Sequence, residues 1–338
     1  MNSTIKLLKF LGSPFQPASP FPCRDDFIKL TSIASKNRIL YFYLTMTGSK
    51  PHDKLLHIFY KEQAKFRRTN YLISRISKIL TEGGIEYAFF KTIRPYISTT
   101  VDLDILIFGE SEEYIKSITA IKNAGYKLLT YGPLSTTFLD EEANIGIDLY
   151  REVAVSFITY IDKKTLYPYI TTMKLSNGEK VKILKPEADL ACIIVHSVIK
   201  EQMYTLSEYY TFIYYLKQMN IKDFIHVVKQ NNVTSAARTH TSITALLHEV
   251  AHKTIPEKLQ QITESLGKDY FEITRLTQNN FETPHKYHPI TVVKALLEIV
   301  KVKKCRDSMA LQIYRMLNPR FTNKFLKDLL KHIKRETY

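Results

Sequence analysis

The chain has 338 residues, 45% of them hydrophobic, with 48 Lys+Arg against 33 Asp+Glu and a formal net charge of +15. Only 10 residues are glycine. No G-x-G-x-x-G, G-x-x-x-x-G-K-[ST] or G-x-S-x-G occurs, which excludes glycine-loop routes to dinucleotide and phosphate binding and the usual serine-hydrolase elbow.

In chain order, the opening MNSTIKLLKFLGSPFQPASP is interrupted by Lys6, Lys9 and Pro14, so no signal peptide is expected. No run approaches the ~18 apolar residues of a membrane span. Residues 1–35 form a proline-containing lead-in. From about Asp53 to Leu80, apolar residues recur at helical spacing until Gly83-Gly84 stops them. The period then changes: IEYAFFK (85–91) and VDLDILIF (101–108) read as strands. Ser111, as N-cap, with Glu112 and Glu113 in the first turn predicts a helix to Gly125. Strands follow near 126–131 and 145–151, and Asn177-Gly178 marks a hairpin.

After Pro186 helices are predicted at 187–200, 206–219, 222–230, 235–252, 290–304 and 321–335, with a looser polar stretch near 265–290. The fold class is α+β: a helical N-terminal region (1–80), a small mixed-sheet unit (81–185) and a large helical C-terminal half (186–338). Charge divides along the same lines. Residues 1–80 carry 14 basic and 4 acidic side chains, residues 81–150 carry 5 and 11, and residues 151–338 carry 29 and 18. An acidic middle suited to divalent cations lies between basic flanks that favour polyanions. Cys23, Cys192 and Cys305 form neither a disulfide framework nor a metal knuckle, and point to a reducing, cytoplasmic setting.

The acidic middle carries the chemistry. In V-D-L-D-I-L-I, Asp102 and Asp104 are two apart on a strand and so share one face, with Val101, Leu103 and Ile105 expected on the core side. Two carboxylates side by side repel unless a cation lies between them. Asp148 stands alone in I-G-I-D-L-Y, another apolar strand, where a buried charge needs a partner. Upstream, F-F-K-T (89–92) ends a strand ten residues before Asp102, with Arg94, Ser98, Thr99 and Thr100 in the loop between.

This string, K-T-x-R-P-Y-x-S-T-x-V-D-L-D-I-L-I followed by a third Asp on a later strand, resembles the nucleotidyltransferase superfamily related to DNA polymerase β, in its uncharacterised and toxin-like prokaryotic branch. The resemblance covers about 85–155 and continues more weakly to about 218. It implies transfer of an NMP from an NTP such as ATP to a hydroxyl, with Asp102, Asp104 and Asp148 catalytic and holding two Mg²⁺ ions. Lys91, Thr92, Arg94, Lys185 and Glu208 are the implied nucleotide-binding residues, with His196 a further candidate. In that superfamily the turn after the first strand is usually Gly-Gly or Gly-Ser; here it is Lys91-Thr92. Gly12-Ser13 and Gly48-Ser49 are decoys without a suitably placed D-x-D downstream.

Two alternatives stand beside this. The Lys91 substitution suits a catalytically degenerate nucleotidyltransferase-fold protein that binds nucleic acid. His248-Glu249-Val250-Ala251-His252 is a literal H-E-x-x-H, whose histidines share one helical face and suit a zinc hydrolase. Its third ligand is unmarked, with Glu272 or His288 the candidates. The C-terminal residues 301–338 carry 11 basic and 3 acidic side chains, with Tyr314, Phe321 and Phe325 interleaved. This favours an RNA acceptor such as a tRNA end, and no membrane partner is expected.

Overall fold

A computed structural model describes residues 2–20, 24–47, 53–323 and 326–327. The chain opens with helices α1 (Ser3–Leu11), α2 (Arg24–Lys36), α3 (Leu40–Met46) and the 30-residue α4 (Asp53–Glu82). Asn2 caps α1 by accepting the Thr4 N–H, and Gly12 closes it with φ 65°. A side chain there would collide with the Ala18 backbone nitrogen at 2.6 Å, so the turn requires glycine.

The middle contains β1 (Tyr87–Phe89), β2 (Asp102–Ile107), α5 (Ser111–Asn123), β3 (Lys127–Tyr131), β4 (Ser135–Asp140) and β5 (Ile145–Tyr150). The small pair β6 (Val153–Val155) and β7 (Ile158–Ile161), the short helix α6 (Lys163–Leu166), β8 (Ile170–Lys174) and β9 (Lys180–Leu184) complete it. Asn177-Gly178 does turn the β8–β9 hairpin, with Gly178 at φ 90°. The remainder is α7 (Pro186–Val195), β10 (Met203–Tyr204), α8 (Leu206–Tyr215), α9 (Ile221–Gln230), α10 (Thr234–His252), α11 (Glu257–Leu266), α12 (Tyr270–Gln278), β11 (His285–Lys286), α13 (Pro289–Ile299) and α14 (Lys303–Met316). The mixed α+β class is therefore observed.

Seven strands form one sheet in the order β3-β4-β5-β2-β1-β9-β8. β2 runs antiparallel to β1 and parallel to β5, and the register sets Asp104 opposite Asp148 and Asp102 opposite Gly146. The period-two alternation divides β2 cleanly. Leu103, Ile105 and Ile107 face a core with Leu72, Ile73, Ile76 and Leu80 of α4 and Tyr114 and Ile121 of α5. Leu106 instead joins Ala88, Phe90 and Tyr150 in the larger core shared with α1–α3 and the C-terminal helices. The aspartates thus project from the sheet face that the helical half covers. Among the described residues, no helix is long and apolar enough to cross a membrane.

Several local expectations shift. Val101 is 56% exposed, outside the core, because β2 begins one residue later. Glu110, not Ser111, is the N-cap of α5, and it makes no side-chain capping bond. The looser stretch near 265–290 contains α12, and α11 precedes it. Most of the expected helix 321–335, with Phe325, lies outside the described residues, as do Cys23 and Gly48-Ser49.

Candidate active site

A cleft of about 360 Å³ opens where β1 and β2 meet α7. Asp102 and Asp104 form part of its lining. Asp148 stands beside them across the β2–β5 register. Burial, then the charges of Asp104 and Asp148, push the Asp102 carboxyl up to about 6, with Lys91 and Arg38 opposing the rise. Burial and Asp104 also raise Asp148, whose Oδ1 is buried without a hydrogen-bond partner. A buried acceptor left unpaired is costly. The three carboxylates therefore form a negatively charged floor with unspent ligand capacity.

Asp104 differs from its neighbours. Burial, the largest influence, would raise its pKa, but Lys91, with help from His196, Lys200 and the Tyr150 hydroxyl, brings it below the ordinary carboxylate range. The Lys91 Nζ lies 3.3 Å from Asp104 Oδ1 and donates to His196 Nδ1 at 3.3 Å. It sits 4.6 and 4.8 Å from the ring centroids of Phe90 and Tyr150, near enough for cation–π attraction. His196 Nε2 is 3.0 Å from Glu201 Oε1. Burial, with the charges of Lys91 and Lys200, lowers the imidazole to about 3. It is consequently neutral, with its proton on Nε2 toward Glu201 and a lone pair on Nδ1 for Lys91 and the Tyr160 hydroxyl. His196–Glu201 extends α7 as a π-helical turn, a distortion frequent at functional sites.

The backbone at Lys91 is left-handed, φ 59°, the conformation that usually calls for glycine. Asp189 of α7 holds it there by accepting the Lys91 N–H at 2.6 Å, while the Tyr215 hydroxyl donates to the other oxygen at 2.8 Å. Non-glycine residues in this region are strained, and a buried carboxylate fixing the peptide offsets that strain. Thr92 works on the backbone also. Its Oγ1 accepts the Asp104 N–H at 2.7 Å and so ties the turn to β2.

The other sequence candidates divide. Arg94 lines the cleft and donates to Thr211 Oγ1 at 3.3 Å. Glu208 also lines it, but its carboxylate accepts the Thr205 N–H at 3.0 Å and the Thr205 hydroxyl, completing a capping box on α8. Lys185 is exposed at the start of α7 and is not among the cleft-lining residues. The structure adds Arg38, Lys200, Glu201, Ser98, Thr99 and Thr100 to the lining. Arg38 arrives from the α2–α3 turn with φ 59°, far upstream of the motif. Asp189 was signalled only as a lone carboxylate in the apolar helix ADLACIIV.

The rival H-E-x-x-H lies on α10 as expected; His252 Nε2 is buried without a hydrogen-bond partner, but both ring nitrogens of His248 are engaged. His248 Nδ1 donates to the Thr254 carbonyl at 2.8 Å, and Nε2 faces Ser13 Oγ at 3.3 Å. Glu272 gives its oxygens to His285, Arg275, Thr291 and the His288 N–H. Among the described residues, no three His, Cys, Asp or Glu side chains make a ready metal cage.

No family model and no curated protein matches the chain. Among solved structures, it is similar to an antigenic nucleotidyltransferase-like protein from Paracoccidioides brasiliensis, with 13% identity and a TM-score of 0.30, covering 66% of this chain and 95% of that one. It is also similar to a STING-associated CdnE c-di-GMP synthase from Capnocytophaga granulosa, with 11% identity and a TM-score of 0.33, covering 86% of this chain and 88% of that one.

Proposed function

We propose that the chain is a nucleotidyltransferase, which moves an NMP from an NTP to a hydroxyl acceptor, with an RNA end such as that of tRNA the favoured acceptor. The observation that carries this is the carboxylate floor: Asp102 and Asp148 raised by burial and mutual charge, with a free buried oxygen on Asp148. Oxygen donors of this kind suit Mg²⁺, and Asp102, Asp104 and Asp148 are the residues that would hold it. Bound there, a divalent ion neutralises phosphate oxygens and eases deprotonation of the acceptor.

The chain's own groups supply the rest. Arg38, Arg94 and Lys200 on the rim meet the triphosphate's negative charge, and the hydroxyls of Ser98, Thr99 and Thr100 offer hydrogen bonds beside it. Asp148, its basicity raised by burial and Asp104, takes the proton as the acceptor oxygen bonds to the α-phosphorus and pyrophosphate departs. The excess of basic residues in 151–338, 29 against 18 acidic, supports a polyanionic acceptor.

The test is incubation of the full chain with each α-labelled NTP, Mg²⁺ and total cellular RNA or protein. Label is expected in RNA with the wild type and not with D102A/D104A. Transfer to no acceptor, without Mg²⁺-dependent NTP binding, refutes the enzyme reading. RNA binding that survives in the absence of any transfer would identify the degenerate, nucleic-acid-binding alternative.

A further inference from the structure

We infer that Lys91 is a built-in cation that takes one of the two positive-charge positions of the carboxylate cluster, so that the site accepts one divalent ion instead of two. This deepens the nucleotidyltransferase reading and rests on it.

Four observations converge on Lys91. Its ammonium is 3.3 Å from Asp104 Oδ1, inside ion-pair distance, and its side chain is 4% exposed. The aromatic rings of Phe90 and Tyr150 wall it in at 4.6 and 4.8 Å. His196 Nδ1 accepts from it at 3.3 Å, and His196 is itself held by Glu201 on the other nitrogen. Finally, the peptide of Lys91 is pinned in a left-handed conformation by Asp189. A surface lysine collapsed on the nearest carboxylate would show none of this enclosure. Backbone, ring walls and imidazole all fix the ammonium against Asp104.

The charge distribution follows the geometry. Asp104 has a positive partner from the protein at 3.3 Å, whereas Asp148 keeps a buried oxygen without a partner. A second divalent ion on Asp104 would approach a fixed ammonium in a poorly solvated setting, where like charges repel strongly. Asp102 and Asp148 are left to hold one ion. The arrangement also accounts for Lys91 standing where the superfamily's turn usually has glycine. The Lys91 ammonium is committed to Asp104 within the cleft, and Arg38, Arg94 and Lys200, which also line it, meet the phosphates.

The experiment is anomalous diffraction from crystals of the full chain soaked with Mn²⁺, with and without a non-cleavable NTP analogue. The wild type is expected to show one Mn²⁺ at Asp102 and Asp148, with the Lys91 ammonium still on Asp104. In K91M a second peak is expected at Asp104. Two peaks in the wild type, or a Mn²⁺ ligated by Asp104 with Lys91 displaced, would overturn the inference while leaving the nucleotidyltransferase reading intact. A single peak in both proteins overturns it too, since Lys91 is then not what limits the count. Neither Mn²⁺ nor analogue in the cleft would remove both. The wild-type crystals decide the matter even if K91M fails to fold.

Discussion

Two regions of this molecule carry motifs that sequence spacing alone rates as chemical, the D-x-D strand and the H-E-x-x-H helix, and they end differently. Both place their side chains on one face, as the strand and helix periods require. In α10, His248 uses each ring nitrogen on the protein, at Thr254 and Ser13, stacks on Tyr209 and makes a tilted contact with His252. At the cleft, Asp102 remains under the repulsion of its neighbours, and Asp148, beside Asp104 on β5, keeps a buried oxygen free. Spacing tells which side chains can act together. Unspent bonding capacity beside other uncommitted ligands tells which of them have something left to bind. The spare nitrogen of His252 lies next to a committed His248, the spare oxygen of Asp148 next to the carboxylate cluster.

The largest expected effect sharpens that contrast. D102A/D104A should lower nucleotidyl transfer by about 10³-fold or more, the scale seen when a site that works as a unit is dismantled. H248A should leave transfer and the metal content of the protein unchanged. Loss of zinc together with activity in H248A would reverse the assignment of the two regions. The same variant should instead cost about 2–3 kcal/mol of stability, because it removes two hydrogen bonds and buried ring contacts. Denaturant unfolding measures this, and a change below about 0.5 kcal/mol would show that the α10 histidine is not a packing element.

The contrast was only partly visible in the sequence. The shared face of Asp102 and Asp104 follows from period two and needs no tertiary information. Pairing Asp104 with Asp148 depends on a parallel β2–β5 register across 44 residues of chain, and composition does not encode it. β4 was missed because S-T-T-F-L-D has few strand-forming apolar residues. It is a strand by virtue of antiparallel bonds to β5, with Phe138 and Thr136 inward. α11 held a readable signal, Leu259, Ile262 and Leu266 at helical spacing, diluted by a polar exterior. Lys91 was anticipated at a phosphate and lies instead on Asp104. The pocket that turns it, made of Phe90, Tyr150 and His196, assembles from three separate elements. Arg38 bore no sequence mark at all, since its place depends on how α2 and α3 pack against the mixed unit.

A smaller effect probes the histidine side of the comparison. His240, on the same helix α10, is fully buried, stacks on Phe212 and has no partner for either ring nitrogen. Burial lowers it to about 3. The unfolded chain therefore binds a proton below about 6.5 while the folded chain does not. Stability contributed by this group is complete above 6.5 and is lost as pH falls toward 3. Near pH 5 the loss is about 2 kcal/mol relative to pH 7. H240F should remove that loss, flattening the difference between the two pH values in parallel denaturant titrations. An identical acid slope in wild type and H240F would mean that the buried ring is protonated in the folded protein.

The smallest effect addresses the carboxylate side, and its sign is the informative part. Burial and Asp104 both disfavour charge on Asp148. D148N keeps the shape, removes one of three like charges and leaves Lys91 paired with Asp104. In the absence of divalent ions it should raise stability by about 1 kcal/mol, while transfer activity falls. For a chain of this size that is an upward shift of roughly 1–2 °C in Tm. Mg²⁺ should then stabilise the wild type and leave D148N unmoved, since the ion binds only where the charge has been kept. A D148N protein less stable than the wild type without Mg²⁺ would show that Asp148 is held by bonds that offset its repulsion. It would then be a structural carboxylate of the same kind as Glu272, whose two oxygens are fully bonded and which is held down to about 2.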